Sequence, residues 1–203
     1  RLGINQSTAI TCVKPEGTAS ALCDSASGIH PRYAPFYIRT NRGNKIDPIA
    51  KFMFDQGIPS ENEVLKPENA WVFSFPLKSS DGAICRADIS AIDHLNMWLI
   101  YSENWTDHKP SITVSVKPHE WLEVGAFVYK HFDKMSGVSF LPWSDHSYSQ
   151  LPYQECTKEE YEEFMKKMPE SIDWSKLAEY EKEDQTTGSQ EYACVGTNSC
   201  EIQ

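Results

Sequence analysis

Ile112, Val114 and Val116 alternate with Ser111, Thr113 and Ser115, the period of a strand whose two faces differ. Stretches of helical period flank this segment, and the alternation of strand and helix patterns along the chain constrains its fold most strongly. Upstream, residues 9–13 form a short apolar run that reads as a buried strand, closed by Lys14-Pro15-Glu16-Gly17. Asp47-Pro48 pairs a capping carboxylate with proline at the first helical position. Ile49, Phe52 and Met53 follow at helical spacing, and Gly57 marks a stop. Residues 71–77 read as a strand, and Ser90 with Asp93 opens a helix carrying Ile92, Leu95 and Leu99. Trp121, Val124, Val128 and Phe132 trace another helix, and residues 138–141 a further strand. Thr157 and Glu160 form a capping box ahead of Tyr161, Phe164, Met165 and Met168. The order implies an α/β domain with largely parallel strands.

The net charge of −10 argues against broad attraction to nucleic acid or anionic lipid, so neither partner is expected. A bound anion must then be held locally, by backbone amides or a few cations. No apolar run approaches the roughly 18 residues of a membrane span. Arg1-Leu2-Gly3-Ile4 has neither an initiator Met nor a signal-peptide core, and reads as a chain entered midway. Cysteines at 12, 23, 85, 156, 194 and 200 contain no CxxC pair, which indicates neither zinc nor a disulfide framework, and a reducing cytoplasmic setting is expected. After about residue 175 the composition turns polar, and residues 179–191 read as a flexible linker ahead of Cys194 and Cys200.

Three segments can carry chemistry. In Lys14-Pro15-Glu16-Gly17-Thr18-Ala19-Ser20 a strand gives way to small and hydroxylated residues opening a helix. Free N–H groups at such a start hold phosphate without net positive charge. An ordinary strand-to-helix turn capped by Thr18 has the same pattern. Cys194 and Cys200, separated by five residues that include Gly196-Thr197-Asn198, can close a disulfide suited to thiol exchange. Two incidental cysteines or a structural bridge account for the spacing equally well. Residues 27–39 are dense in rings and guanidinium groups: Arg32 or Arg39 can meet an anion and His30 can sit at a site, while packing and pairing with carboxylates is the plainer reading. The histidines at 94, 108, 119, 131 and 146 lack metal-ligand spacing and read as surface or capping groups, and no metal site is expected.

Taken together, Val13-Lys-Pro-Glu-Gly-Thr-Ala-Ser20, Ser27-Gly-Ile-His-Pro-Arg-Tyr33, Tyr37-Ile-Arg39, Val72-Phe-Ser-Phe-Pro76, Ser102-Glu-Asn-Trp-Thr-Asp107, Val138-Ser-Phe-Leu-Pro142 and the closing Cys194…Cys200-Glu201 carry a family likeness. They resemble the C-terminal third of adenosylcobalamin-dependent ribonucleotide reductases, of the monomeric type acting on ribonucleoside triphosphates. The resemblance implies residues 1–175 as the C-terminal portion of a ten-stranded α/β barrel and residues 176–203 as a linker with a redox-active tail. It implies that Glu16, Gly17, Thr18, Ala19 and Ser20 bind the substrate's phosphates. Cys194 and Cys200 would re-reduce an active-site disulfide and be restored by thioredoxin or a similar dithiol reductant. Adenosylcobalamin would supply the initiating radical, bound mainly outside these residues. The radical-loop cysteine of that family has no counterpart here, so the remainder of the barrel is the expected partner for activity. The alternative is a stand-alone, non-catalytic phosphate-binding or thiol-carrier module derived from a reductase.

Overall fold

A computed structural model describes residues 3–143 and 149–182. In chain order the elements begin with helix α1 (Ala19–Leu22), strand β1 (Phe36–Asn44), α2 (Pro48–Asp55), β2 (Ser60–Asn62) and β3 (Ala70–Lys78). They continue with α3 (Ala91–Asn104), β4 (Ile112–Val116), α4 (Trp121–Lys130), β5 (Val138–Pro142), β6 (Tyr153–Glu155), α5 (Lys158–Met165) and α6 (Leu177–Tyr180). The described residues fall into two compact units, 3–35 with 79–143 and 36–78 with 149–182.

In the first unit, β4 and β5 pair in parallel from Ile112↔Val138 to Val116↔Pro142, and α4 is the crossover between them. The alternating residues of β4 face inward as their period requires: Ile112, Val114 and Val116 join Ile29, Ala91, Leu95, Trp98 and Val124 in one core. Trp98 is fully buried, and its indole N–H donates to the Pro110 carbonyl at 3.2 Å, so the ring brings no unpaired donor into the core. Ser90 caps α3 through its Oγ, which accepts the Asp93 N–H at 3.0 Å. The buried Glu120 carboxylate takes the Ala91 N–H at 3.1 Å and the Lys117 N–H at 2.7 Å, tying the start of α3 to the turn before α4. Residues 9–13 depart from expectation. They form no strand and Ile10 is 75% exposed, because their backbone meets the 107–111 segment only in separate bonds such as His108 N–H to Thr11 O and Ser111 N–H to Val13 O.

The second unit is built on a four-stranded sheet in the order β2-β3-β1-β6, antiparallel throughout. Asp47 caps α2 by accepting the Ile49 N–H at 3.0 Å, with Pro48 in the first turn as its sequence requires. Ala50 and Phe52 of α2 are fully buried, and Ala50 packs in a core with Ile58 and Phe73. Gly43 on β1 leaves no room for a side chain, since a Cβ there would lie 2.9 Å from Ala50 Cβ and 3.0 Å from Phe73 Cε2. Thr157 and Glu160 form the expected capping box on α5, and Tyr161 sets its ring 5.2 Å from that of Phe36. Residues 177–180, at the start of the segment read as linker and tail, form α6. Tyr180 lies edge-on to Phe52 and donates its hydroxyl proton to Asp55 at 2.9 Å.

The architecture is α/β with mixed sheets. The expectation of largely parallel strands holds for β4 and β5 alone and fails for the other four strands. The cause is β1, whose Arg39-Thr-Asn-Arg-Gly-Asn44 stretch is too polar to show a strand pattern, yet it is the central strand joining β3 to β6. Among the described residues no helix is long and apolar enough to cross a membrane.

Candidate functional site

The loop ahead of α1 gathers its donors on one acceptor. The Glu16 side chain turns back over the start of the helix and accepts the N–H groups of Thr18 and Ser20 and that of Ala19 at 2.5 Å. The Thr18 hydroxyl adds a fourth donor at 3.0 Å. Thr18 makes no side-chain cap on the helix, so the group satisfying these amides is Glu16. The convergence is electrostatically favourable to a negative charge. The Thr18 N–H is the main cause, with Ser20 and the Thr18 hydroxyl adding to it, and together they lower the Glu16 pKa to about 2. Three successive N–H groups and a hydroxyl thus hold an anionic pair of oxygens with no lysine or arginine involved.

The platform beneath the loop comes from the segment after α1. Ser27 Oγ accepts the Glu16 N–H at 2.6 Å, and Ser20 Oγ donates to the Glu16 carbonyl at 3.0 Å. Arg32 is half-buried. It pairs with Asp24 at 2.5 Å and donates to the Ser25 carbonyl at 2.8 Å, while its backbone bridges to Cys85. Arg39 lies over the Tyr153 ring at 5.8 Å. The reading of residues 27–39 as packing with paired arginines therefore describes Arg32.

Glu16, Gly17, Thr18, Ala19 and Ser20 are brought together, whereas Cys194 and Cys200 lie outside the described residues. Cys12 and Cys23 are exposed, Cys85 is buried and Cys156 half-buried, its thiol pKa raised chiefly by burial. Among the described residues no three His, Cys, Asp or Glu side chains gather as a metal site. His94, expected as a surface or capping group, is buried within α3, with its Nε2 2.9 Å from the Ile29 carbonyl and its pKa lowered first by desolvation. Its position one turn ahead of Trp98 on α3 was the available signal, since i and i+4 share a helix face. Ser27 and His30 carry no such signal, because they sit in a loop without periodicity.

No family model matches the chain. An adenosylcobalamin-dependent ribonucleoside-triphosphate reductase of Euglena gracilis is 28% identical over 199 residues, which are 96% of this chain and 27% of that protein. A probable enzyme of the same name from Dictyostelium discoideum is 28% identical over 180 residues, 87% of this chain and 24% of its own. The solved structure of a B-12 dependent (class II) ribonucleotide reductase superposes with a TM-score of 0.70 at 21% identity, covering 83% of this chain and 24% of that one. The chain therefore spans about a quarter of the length of the relatives it matches. By sequence the chain is similar to adenosylcobalamin-dependent ribonucleoside-triphosphate reductases, and over 83% of its length its fold matches a portion of a class II ribonucleotide reductase.

Proposed function

We propose that the chain is the C-terminal part of a reductase that converts ribonucleoside triphosphates to 2′-deoxyribonucleotides by thiyl-radical chemistry. The loop of residues 16–20 holds the substrate's phosphates through its backbone amides, and the dithiol of Cys194 and Cys200 relays electrons. The observation that carries the phosphate assignment is the convergence of the Thr18, Ala19 and Ser20 N–H groups and the Thr18 hydroxyl on the Glu16 carboxylate. A terminal phosphate offers the same chemistry, several negative oxygens on one centre, and amide donors suit it in a chain of net charge −10. The carboxylate and the phosphate compete for these donors, so Glu16 swings out as substrate enters.

Loss of the ribose 2′ hydroxyl as water takes two electrons and two protons, which an active-site cysteine pair supplies as it closes to a disulfide. A tail thiolate then attacks that disulfide, the second tail thiol resolves the mixed disulfide, and a dithiol reductant such as thioredoxin restores the tail. A reducing cytoplasmic setting goes with this cycle. Adenosylcobalamin, when bound, supplies the initiating radical. An open cleft beside the loop, about 360 Å³ and lined by residues including Cys12, Lys14 and His108, does not fit it. Clefts of roughly 300–1,000 Å³ suit drug-sized ligands, and a corrinoid is several times larger. The cofactor and the radical cysteine are assigned to the remainder of the barrel.

The test is kinetic, in the complete reductase. Gly17→Pro removes an N–H and restricts the backbone of Glu16, and raises KM strongly, while Thr18→Ala removes one hydroxyl of four donors and raises it slightly. Equal, small effects would mean that the segment is a turn and nothing more.

A further inference from the structure

We propose that His30 is a positioning residue for the 16–20 loop, acting as a neutral imidazole protonated on Nδ1 that ties β4 to the Ser27–Gly28 segment beneath the loop. This rests on the phosphate assignment above for its functional meaning, though not for its geometry. The tie has two ends. At one, the Thr113 N–H of β4 donates to His30 Nε2 at 2.9 Å. An amide N–H cannot accept, so Nε2 bears no proton. At the other, Nδ1 lies 2.8 Å from the Ser27 carbonyl, which cannot donate, so Nδ1 carries the ring proton. The imidazole is thus fixed in charge and tautomer by two backbone groups of opposite kind.

Each link onward to the loop is short. The His30 backbone N–H also reaches the Ser27 carbonyl, at 3.1 Å, so this oxygen is held twice by one residue. Ser27 Oγ in turn accepts the Glu16 N–H at 2.6 Å. Gly28 closes the contact: with φ at +59°, a Cβ there would meet the Lys14 carbonyl oxygen at 2.8 Å, so backbone lies directly on backbone. Ile29 anchors the middle of the segment in the core, and its carbonyl lies 2.9 Å from Nε2 of the buried His94. The two rings meet edge to face at 5.6 Å. Neighbouring N–H groups on a strand point to opposite sides. Ile112 N–H goes to Gly137 beside β5, which leaves Thr113 N–H on the opposite edge for His30 to cover. His30 therefore satisfies a strand edge and braces the loop with one ring.

Two measurements on the full chain test this. The tautomer of His30 is read by nitrogen NMR of histidine-labelled protein near neutral pH, without added phosphate. A protonated Nδ1 with a bare Nε2 is expected, and an Nε2-protonated ring or an imidazolium overturns the proposal. Tripolyphosphate affinity is then compared for the wild type, His30→Phe, Ser27→Ala and the double variant. Each single change is expected to weaken binding by about tenfold, and the double change by little more than either, because both act through one chain of bonds. His30→Gln, whose amide oxygen can still accept from Thr113, is expected to recover part of the loss. Unchanged binding by His30→Phe, or losses that multiply in the double variant, overturn the proposal. If His30→Phe fails to fold, the wild-type tautomer decides. A wild type that binds no tripolyphosphate defeats the phosphate assignment, and the tautomer still decides the tie.

Discussion

Glu16 owes its low pKa first to the Thr18 N–H, and then to Ser20 and the Thr18 hydroxyl, which bring it from 4.5 to about 2. A carboxyl whose folded pKa lies below its ordinary value stabilises the folded loop above that ordinary value. The contribution fades as pH falls from 4.5 toward 2. The Thr18, Ala19 and Ser20 amide signals should therefore titrate together with a midpoint near the lower end of that window. A midpoint near the ordinary carboxyl value would mean that the side chain points into solvent. Glu16→Gln keeps an acceptor oxygen but removes the charge. It should abolish this titration and strengthen tripolyphosphate binding several-fold, measured by calorimetry, because the internal competitor is weaker. Weaker binding in the variant would make Glu16 a brace for the loop and not a competitor of phosphate.

At the scale of elements, α3 packs its inward face around Trp98, so Trp98→Ala should cost about 3–5 kcal/mol of unfolding free energy in a denaturant titration. A loss below about 1 kcal/mol would place the ring outside the core. The helix starts at Asp47-Pro48, Ser90 and Thr157 were legible in the sequence, because a cap uses a fixed residue type at a fixed offset from the amide it satisfies. The alternation of β4 was legible for the same reason, with one face buried and the other not. Strand β1 was hidden, since its pairing with β3 and β6 is made by backbone and leaves Arg39, Asn41 and Arg42 free to be polar. Residues 9–13 misled in the opposite sense: their apolar character suggested a ladder that the described structure lacks. At the site, Pro-Glu-Gly-Thr marked the break and the helix start. That the amides close on Glu16, and that Ser27 and His30 hold the loop from below, depends on contacts across the fold that no local pattern encodes.

For the whole molecule, the chain spans about a quarter of the length of the relatives it matches, and on the proposed reading the chemistry is shared with residues outside it. The two roles assigned to this chain also separate experimentally. In a complete reductase, Cys194→Ser or Cys200→Ser should abolish turnover driven by thioredoxin while sparing turnover driven by a small dithiol that enters the active site directly. Equal loss with both reductants would remove the relay from the account. The 16–20 loop lies within one compact unit, and its donors and platform come from that unit alone, so the proposed phosphate binding can be examined in this chain. The most direct test of phosphate binding is a tripolyphosphate titration of the nitrogen- and carbon-labelled chain, followed at the Thr18, Ala19 and Ser20 amides and the Glu16 carboxyl carbon. The three amide signals should shift together and saturate as the Glu16 carboxyl signal moves to that of a solvated carboxylate. Amide signals that stay in place at saturating tripolyphosphate, with Glu16 unmoved, would contradict the phosphate assignment.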